Sequence, residues 1–351
     1  MTLVSSFDFD LPESLIAQEA RPRGTSRLLV VDRAAGTFVE HPIAALPRLL
    51  KPGDRLVAND TRVFPARLIG TRLPGGGAGE CFLLERAGDD QWLALVHPGQ
   101  RLRSGSHMVF EDAERAPGVR LRATILDRRF FGRRLVQLVA DGARDVDDAV
   151  DRLGHIPLPP YIKRGDRADD RERYQTVYAR ARGSVAAPTA GLHFDAAMLE
   201  ALGHAGIDWT PITLHVGYGT FKPVRVDVVE DHVVDPETYT IEAGAASAMA
   251  DTRRRGHRVI AVGTTTTRAL ESAAAADGTV QATSGATDLF IRPGHVFRAI
   301  DGLFTNFHLP KSSLLMLVAA FAGHELTMEA YRHAVREEFH FYSYGDAMLV
   351  V

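Results

Sequence analysis

The stretch from Ile69 to Gly142 most constrains the fold of this 351-residue chain, because its pattern differs from that on either side. Short alternating or β-branched runs, among them CFLLE, QWLALV, LRATIL and LVQLVA, are separated by turns that contain Gly and Pro, with no helix of normal length. Helical patterns flank this stretch on both sides. We therefore predict an α/β body formed by residues 1–62 and 148–351, into which residues 63–147 are inserted as an antiparallel β-barrel.

Capping residues predict the helices of the body. The segment DLPESLIAQEA opens with the carboxylate of Asp10 and has a proline in its first turn, which is typical of a helix start. Asp195 is predicted to cap a second helix and Thr327 a third. The apolar run from Arg258 to Val262 predicts a strand that turns at Gly263 into a further helix, as in a βα unit.

Composition limits the class of protein. The single cysteine, Cys81, excludes a disulfide framework, and the opening sequence MTLVSSFDFD lacks the basic and apolar character of a secretory leader. No apolar run approaches the roughly 18 residues that a membrane span requires. We expect a soluble, cytoplasmic monomer that does not associate with membranes. The net charge of −3 neither favours nor excludes nucleic acid as a partner.

The sequence VIAVGTTTTRALES places one glycine and four threonines where a strand meets a helix. A helix start presents free N–H groups that bind anions, although threonines there can also serve only as caps. An arginine and a glutamate in the first turns could hold the carboxylate and ammonium groups of an amino acid. The candidate ligand-binding residues of this elbow are Gly263, Thr264, Thr265, Thr266, Arg268 and Glu271.

Three histidines, His193, His215 and His308, each stand beside a turn that contains Gly or Pro. They lack the close H-x-x-x-H spacing of a zinc site, so we predict no metal requirement. Because histidine titrates near neutral pH, proton transfer is the favoured role. A purely structural role is the alternative for each.

The carboxyl-terminal blocks concentrate polar side chains among turn residues, which packing alone does not explain. TNFHLPKSS and FYSYGDAML are the two densest of these blocks. We predict a binding site there. Its candidate residues are Asp301, Asn306, Lys311, Ser312, Tyr344 and Asp346.

Basic and aromatic residues alternate in two further segments, RLVANDTRVFPARL and PLPPYIKRGD. Such interleaving suits an unpaired nucleotide, because rings stack on bases and cations pair with phosphates. A polar turn or a solvated charged face is the alternative. The candidate tRNA- or base-binding residues are Asn59, Asp60, Arg62, Arg67, Tyr161, Lys163 and Arg164.

The predicted barrel is rich in arginine, whose planar fork donates two hydrogen bonds to a phosphate. Charge alone does not decide, because an arginine excess can also reflect genome composition or a solvated face. If the chain binds RNA, we predict that this region contributes by neutralising phosphates. The arginines concerned are Arg101, Arg103, Arg128, Arg129, Arg133 and Arg134.

Taken together, LVANDTRVFPARL, PLPPYIKR, GSVAAPTAGLHF, ITLHVGYGTFKPV, GTTTTRALES and TNFHLPKSS resemble blocks of the S-adenosylmethionine:tRNA ribosyltransferase-isomerases of queuosine biosynthesis, in order and spacing. The resemblance implies an α/β body with an inserted β-barrel. It also implies that S-adenosylmethionine acts as a ribosyl donor and that a tRNA with a GUN-type anticodon is the acceptor. The ribosyl moiety would pass to the aminomethyl group of a 7-deazaguanine at the wobble position, giving epoxyqueuosine-tRNA, adenine and methionine.

The sulfonium acidifies the adjacent ribose hydrogens, so such a reaction requires a proton acceptor. It also requires a proton donor for the departing adenine and a pocket that excludes water. We expect the elbow and the loop from Asn306 to Ser313 to form the S-adenosylmethionine pocket together. The candidates for the proton-transfer roles are His193, His215, His308, Asp301, Tyr344 and Asp346.

Two positions depart from the pattern of that family. Tyr218 stands between the glycines of LHVGYGTF, where a small residue is common, and the stretch EDHVVDPE keeps His232 and Glu237 but has Asp235 in place of a second histidine. These departures leave open an S-adenosylmethionine-dependent transfer to a different acceptor. The arginine-rich insertion alone would also permit a tRNA-binding protein without catalysis.

Overall fold

The computed structural model describes residues 1–351. Strands and helices alternate in the body, whereas the strands of the barrel follow one another directly. The strands are β1 (Arg27–Asp32), β2 (Thr37–Pro42), β3 (Arg55–Asn59), β4 (Thr61–Val63), β5 (Arg67–Leu73), β6 (Ala78–Gly88), β7 (Gln91–His97), β8 (His107–Glu111), β9 (Arg120–Arg128), β10 (Arg133–Asp141), β11 (Ala181–Ser184), β12 (Asp208–Leu214), β13 (Glu237–Ile241), β14 (Val259–Val262), β15 (Thr283–Thr287), β16 (Gly302–Asn306) and β17 (Ala347–Val350).

Eight α-helices accompany these strands, and none combines the length and the apolar composition of a membrane span. They are α1 (Leu46–Leu49), α2 (Val146–Leu153), α3 (Asp170–Arg173), α4 (Ala196–His204), α5 (Ala243–Arg254), α6 (Thr264–Ala273), α7 (Ser313–Ala322) and α8 (His324–Arg336). Short 3₁₀ segments span Val4–Phe7, Glu13–Leu15, Ile43–Ala45, Phe130–Gly132, Thr189–His193, Tyr218–Phe221 and Val229–Asp231.

Nine strands form the sheet of the body, in the order β15-β13-β12-β3-β14-β16-β17-β1-β2. Helices α5 to α8 contribute to the hydrophobic core on one face, and α1 and α4 contribute to the other. The central strands β12, β3, β14 and β16 are parallel, so their carboxyl ends meet at one edge. Ligands of α/β proteins bind at such an edge.

The inserted region is a closed antiparallel barrel in the order β10-β7-β6-β5-β8-β9. Alternating side chains along these strands point inward and form a separate core, to which Val146, Val150 and Leu153 of α2 also contribute. The predicted α/β body with an inserted antiparallel barrel is confirmed. The exact division at residues 63 and 147 stays a prediction.

Two of the predicted helix starts are wrong. The segment after Asp10 forms only the 3₁₀ turn Glu13–Leu15, because the following backbone is extended and Ile16 pairs with Phe341. Helix α8 begins at His324 rather than after Thr327, whose hydroxyl instead donates to Gly323 O inside the first turn (2.7 Å). The predicted cap at Asp195 is confirmed, since its Oδ1 accepts from Met198 N (2.7 Å).

Candidate active site

A cavity of about 590 Å³ lies at the carboxyl ends of β14 and β16. Its volume falls within the roughly 300–1,000 Å³ of ordinary ligand pockets. The elbow after β14, the loop after β16, residues 186–190 and residues 220–224 all line the cavity. Tyr161 and Tyr342 complete the wall, with ring centroids 3.8 Å apart.

The elbow places the start of α6 against this cavity. Gly263 has a φ of 93°, a conformation that glycine adopts without the steric cost that a Cβ would bring. The first amide of α6 with a helical acceptor is that of Thr267, which donates to Gly263 O (3.1 Å). The amides of Thr264, Thr265 and Thr266 are therefore free, and the first two of these residues line the cavity. The hydroxyl of Thr266 points away and donates to Val262 O.

Arg268 and Glu271 do not line the cavity, because both side chains are bonded elsewhere. Arg268 forms a buried ion pair with Glu237 of β13 and also donates to Leu289 O and Thr287 O. The carboxylate of Glu271 accepts from the amides of Arg298 and Ala299 (3.0 and 2.9 Å). These contacts engage both side chains within the protein rather than with a ligand in the cavity.

The loop after β16 contributes Asn306, His308, Lys311 and Ser312 to the cavity wall. His308 is buried, its Nε2 lies 3.0 Å from the hydroxyl of Thr305, and burial lowers its pKa to about 3. Its imidazole is therefore neutral at physiological pH. Lys311 reaches the rim, where Nζ pairs with Asp8 (2.7 Å).

Asn306 connects the cavity to His193 behind it. Its Nδ2 donates to Tyr342 O (3.1 Å) and to His193 Nε2 (3.0 Å), so His193 Nδ1 carries the hydrogen and donates to Ser26 Oγ (2.9 Å). Burial lowers the pKa of His193 to about 4. His193 thus supports the cavity wall as a neutral ring without lining it.

Two buried polar atoms of the wall have no hydrogen-bond partner: Oδ1 of Asn306 and the hydroxyl of Tyr174. An unpaired buried polar atom costs free energy and calls for an explanation. A polar ligand in the cavity, or water, would supply the missing partners.

His215 lies in a separate cluster at the β4–β11 pair. Its Nδ1 is 2.8 Å from the hydroxyl of Thr61, which also donates to Ser184 Oγ (2.9 Å). Desolvation lowers the pKa of His215, although Asp60 opposes that shift. The structure does not bring His215 to the cavity wall.

Asp301, Tyr344 and Asp346 also lie outside the cavity wall. Asp301 stands at the amino end of β16, on the opposite edge of the sheet, and accepts from Val259 N (2.8 Å). The fully buried Asp346 accepts from the amides of Arg27 and His340 (2.8 and 2.7 Å). The hydroxyl of Tyr344 donates weakly to Asp170 (3.4 Å), and burial raises the pKa of Tyr344 above its usual range.

Of the residues predicted to bind tRNA or its bases, Tyr161 alone lines the cavity, and its hydroxyl bonds to Ser343 Oγ (2.5 Å). The others are dispersed, and most have partners within the protein. Asn59 bridges to the backbone of Leu214, Asp60 pairs with Arg180, Arg67 with Glu80, Lys163 with Glu13 and Arg164 with Asp170, while Arg62 is exposed on β4.

Several residues of the cavity wall were not predicted from the sequence. Ala186, Ala187 and Ala190 are small and carry no chemical signal of their own. Phe221 and Lys222 also line the cavity. They follow the histidine and the glycines of the block ITLHVGYGTFKPV, and only those earlier residues carried a recognisable signal.

The barrel meets the body at the mouth of the cavity. Phe82 of β6 contacts Tyr218 edge to face, with ring centroids 5.5 Å apart. Asp235 accepts from both Arg133 of β10 (3.3 Å) and Lys222 of the cavity wall (2.6 Å). Tyr218 and Asp235, the two positions that depart from the family pattern, are thus residues through which the body contacts the barrel.

No group of three or more His, Cys, Asp or Glu side chains is arranged to hold a metal ion. The absence of a metal requirement nevertheless stays a prediction.

Known proteins resemble this chain over nearly its whole length. A family model described as queuosine biosynthesis protein matches residues 4–350. The S-adenosylmethionine:tRNA ribosyltransferase-isomerases of Symbiobacterium thermophilum and Moorella thermoacetica are 48% and 49% identical to this chain, each over 99% of both sequences. The crystal structure of S-adenosylmethionine tRNA ribosyltransferase from Thermotoga maritima is 33% identical, with a TM-score of 0.54, over 99% of this chain and 100% of that one.

Proposed function

Because this chain belongs to the queuosine biosynthesis protein family, as its motifs predicted, we propose that it is an S-adenosylmethionine:tRNA ribosyltransferase-isomerase. The observation that carries the proposal is the cavity at the parallel-strand edge. That cavity combines free helix amides, aromatic rings, a neutral histidine and two unpaired buried polar atoms. A protein that only bound tRNA would not require it.

The donor is S-adenosylmethionine, whose sulfonium activates the ribosyl group for transfer. The free amides of Thr264 and Thr265 bind its carboxylate, as helix starts bind anions. Asn306 Oδ1 and the hydroxyl of Tyr174 supply polar contacts to the nucleoside, and the ring of Tyr342 provides an apolar surface. The free amides and unpaired atoms of the wall support this fit.

The acceptor is a tRNA with a GUN-type anticodon that carries 7-aminomethyl-7-deazaguanine, and the products are epoxyqueuosine-tRNA, adenine and methionine. The chain acts on it in the cytoplasm as a monomer. Among the three candidate histidines, His308 lines the cavity, whereas His193 and His215 do not. We therefore assign proton acceptance to His308, the one ring of the three that a ligand in the cavity can reach, with His193 as the residue that positions Asn306. The lowered pKa of His308 makes it a weak base, so the transfer depends on the acidity that the sulfonium gives the ribose hydrogens.

The test is to incubate the protein with S-adenosylmethionine and tRNA carrying the aminomethyl-deazaguanine, and to measure free adenine and free methionine. Equimolar release of both supports the proposal. Adenine or methionine released with an unmodified tRNA, or with a different acceptor, would favour another transfer reaction. Binding of tRNA without either product would leave a non-catalytic protein.

The role of His308 is tested by His308→Gln, with His204→Gln as the matched control because His204 is exposed at the end of α4. Loss of a proton-transfer group costs about 10²- to 10⁴-fold in rate. We expect His308→Gln to lose adenine release by that factor while calorimetry still detects S-adenosylmethionine binding. An unchanged rate would move proton transfer to another residue.

A further inference from the structure

The turn between β9 and β10 exposes two phenylalanines. Phe130 is 87% exposed and Phe131 92%, and neither ring packs against another aromatic side chain. Large aromatic side chains are normally the most buried residues of a domain. We call residues 128–133, which carry these rings, the FF hairpin.

Positive charge surrounds the two rings. Arg128 and Arg129 precede them and Arg133 follows, in the sequence RRFFGRR. Arg128 has no acidic partner, and Arg129 has only a 3.5 Å contact with the neighbouring Asp127. Two exposed phenylalanines with arginines around them do not suit a buried protein interface, because the centre of such an interface is depleted of charge. They suit a single-stranded nucleic acid, which offers π-faces beside phosphates.

The base of the FF hairpin is held in place by Arg134. This guanidinium is buried and donates to four backbone carbonyls, those of Gly99, Leu102, Gly132 and Arg133 (2.9 to 3.3 Å). Arg134 is therefore not available to phosphates, contrary to the prediction from sequence. Its contacts fix the end of the hairpin from which the rings project.

Two ion pairs that share one carboxylate connect the FF hairpin to the cavity wall. Arg133 pairs with Asp235, and the same carboxylate pairs with Lys222, which lines the cavity. Phe131 is two residues from Arg133, so at most about 8 Å of chain separates their Cα atoms. A nucleotide that enters the cavity would place its neighbours near these rings.

We propose that Phe130 and Phe131 stack on unpaired bases of the tRNA that flank the base entering the cavity, while Arg128 and Arg129 contact their phosphates. This inference rests on the proposed function. It assigns to the barrel a contact with anticodon-loop bases, in addition to the phosphate binding predicted from its arginines.

The experiment compares the Phe130→Ala/Phe131→Ala double variant with Val139→Ala, which removes an exposed apolar side chain from the far part of β10. Binding of an anticodon stem-loop is measured across a salt series, and S-adenosylmethionine binding by calorimetry. Each lost stack weakens binding by about 5- to 150-fold. We expect that loss at every salt concentration with an unchanged salt slope, because no phosphate contact is removed. Val139→Ala should bind as the parent does.

Two further variants distinguish stacking from general apolar contact. Phe130→Trp/Phe131→Trp should bind at least as tightly as the parent, whereas Phe130→Leu/Phe131→Leu should bind as weakly as the alanine pair. Full binding by the leucine variant would overturn the inference. A second outcome would also overturn it. If sedimentation shows that the parent is a dimer and that the alanine variant is a monomer, the rings contact a second copy of the chain.

The outcomes separate this inference from the proposed function. If the parent releases adenine and methionine and the alanine pair binds the stem-loop normally, the inference fails and the proposed function stands. If the parent binds the RNA and the alanine pair does not, yet no product forms, the stacking contact stands without the reaction. A parent that binds no tRNA contradicts both.

Discussion

The region behind the cavity and the outer surface of the barrel differ in how their arginines are paired. Behind the cavity, Arg268 is paired with Glu237 and Arg164 with Asp170, each partner being buried. On the barrel, Arg101, Arg103 and Arg128 are exposed and have no acidic partner within 4.0 Å. These two arginines of the body are committed to internal ion pairs, whereas these three arginines of the barrel stay available to solvent.

The proposed function gives this difference a physical reason. A pocket that protects a reactive intermediate has to exclude water, and unpaired charges inside it would attract water and cost desolvation energy. A surface that meets an RNA backbone needs accessible cations, because release of counterions from phosphates supplies much of the affinity.

The buried ion pair of the body should be the most costly to break. Arg268→Ala leaves the Glu237 carboxylate buried without its cation, which costs about 3–5 kcal/mol in the free energy of unfolding. The barrel control is Arg120→Ala, whose pair with Glu111 is exposed, so that its loss costs under about 1 kcal/mol. Denaturant unfolding followed by fluorescence measures both, with Trp209 reporting the body and Trp92 the barrel in single-tryptophan variants. A loss below about 1 kcal/mol for Arg268→Ala would contradict the contrast.

The buried histidines should make the stability of the body depend on pH. His193 has its pKa lowered to about 4 in the folded state, from a reference value of 6.5. Between these values the unfolded chain binds a proton that the folded protein does not, so stability falls as pH drops. The loss is about 1.4 kcal/mol per pH unit, or roughly 3 kcal/mol in all. His193→Asn should reduce the fall in the free energy of unfolding below pH 6.5 by that amount, and His308, whose pKa is also lowered, should account for part of the remaining fall. The same Trp209 signal measures both. A pH dependence identical to the parent's would refute the assignment.

Reversing the unpaired barrel arginines should weaken tRNA binding by about tenfold or more, roughly 1.4 kcal/mol. For Arg101→Glu/Arg103→Glu/Arg128→Glu, the slope of log affinity against log salt should also fall by roughly 2 to 3, if each side chain contacts one phosphate. Gel shifts across a salt series measure both quantities. Arg86→Glu is the control, because Arg86 is already paired with Asp147. A parental slope in the triple variant would mean that the barrel is not the phosphate-binding surface.

The contact between the two regions should have the smallest effect. Asp235 joins Arg133 to Lys222, but all three side chains are partly exposed, so the pairs contribute under about 1 kcal/mol. We expect Asp235→Asn to raise the KM for tRNA by less than about fivefold, with S-adenosylmethionine binding unchanged. Asp227→Asn, at an exposed residue without an ion pair, is the matched control. A larger effect on S-adenosylmethionine than on tRNA would show that Asp235 acts on the cavity and not on the connection.

Local patterns made the fold largely predictable. The alternating runs between Ile69 and Gly142 correspond to strands β5 to β10, and the elbow at Gly263 was predicted because a buried run followed by glycine and a helical pattern has few alternatives. The helix predicted after Asp10 failed for a nonlocal reason. Its backbone pairs with Phe341, more than 300 residues away, and that pairing outweighs a local helix signal.

The candidate site was harder to predict. Motif chemistry selected Asn306, His308, Thr264 and Thr265, which do line the cavity, and also Thr266, which does not. The same chemistry also selected Glu271 and Asp346, whose carboxylates the structure directs to backbone amides. A carboxylate that caps a loop and one that meets a ligand look alike in sequence, since both are acids beside turns.

What the amino-acid sequence determined by itself was therefore the order of elements, the inserted barrel and the family, because these depend on periodicity, turn residues and motifs that are read locally. The tertiary structure alone decided which polar groups are satisfied within the protein and which remain free. That decision depends on partners far apart in the chain, such as Arg268 with Glu237 or Arg134 with the carbonyl of Gly99. Burial makes each such pairing costly to leave unmade, so the groups left unpaired at the cavity and the barrel surface are where we expect ligands to bind.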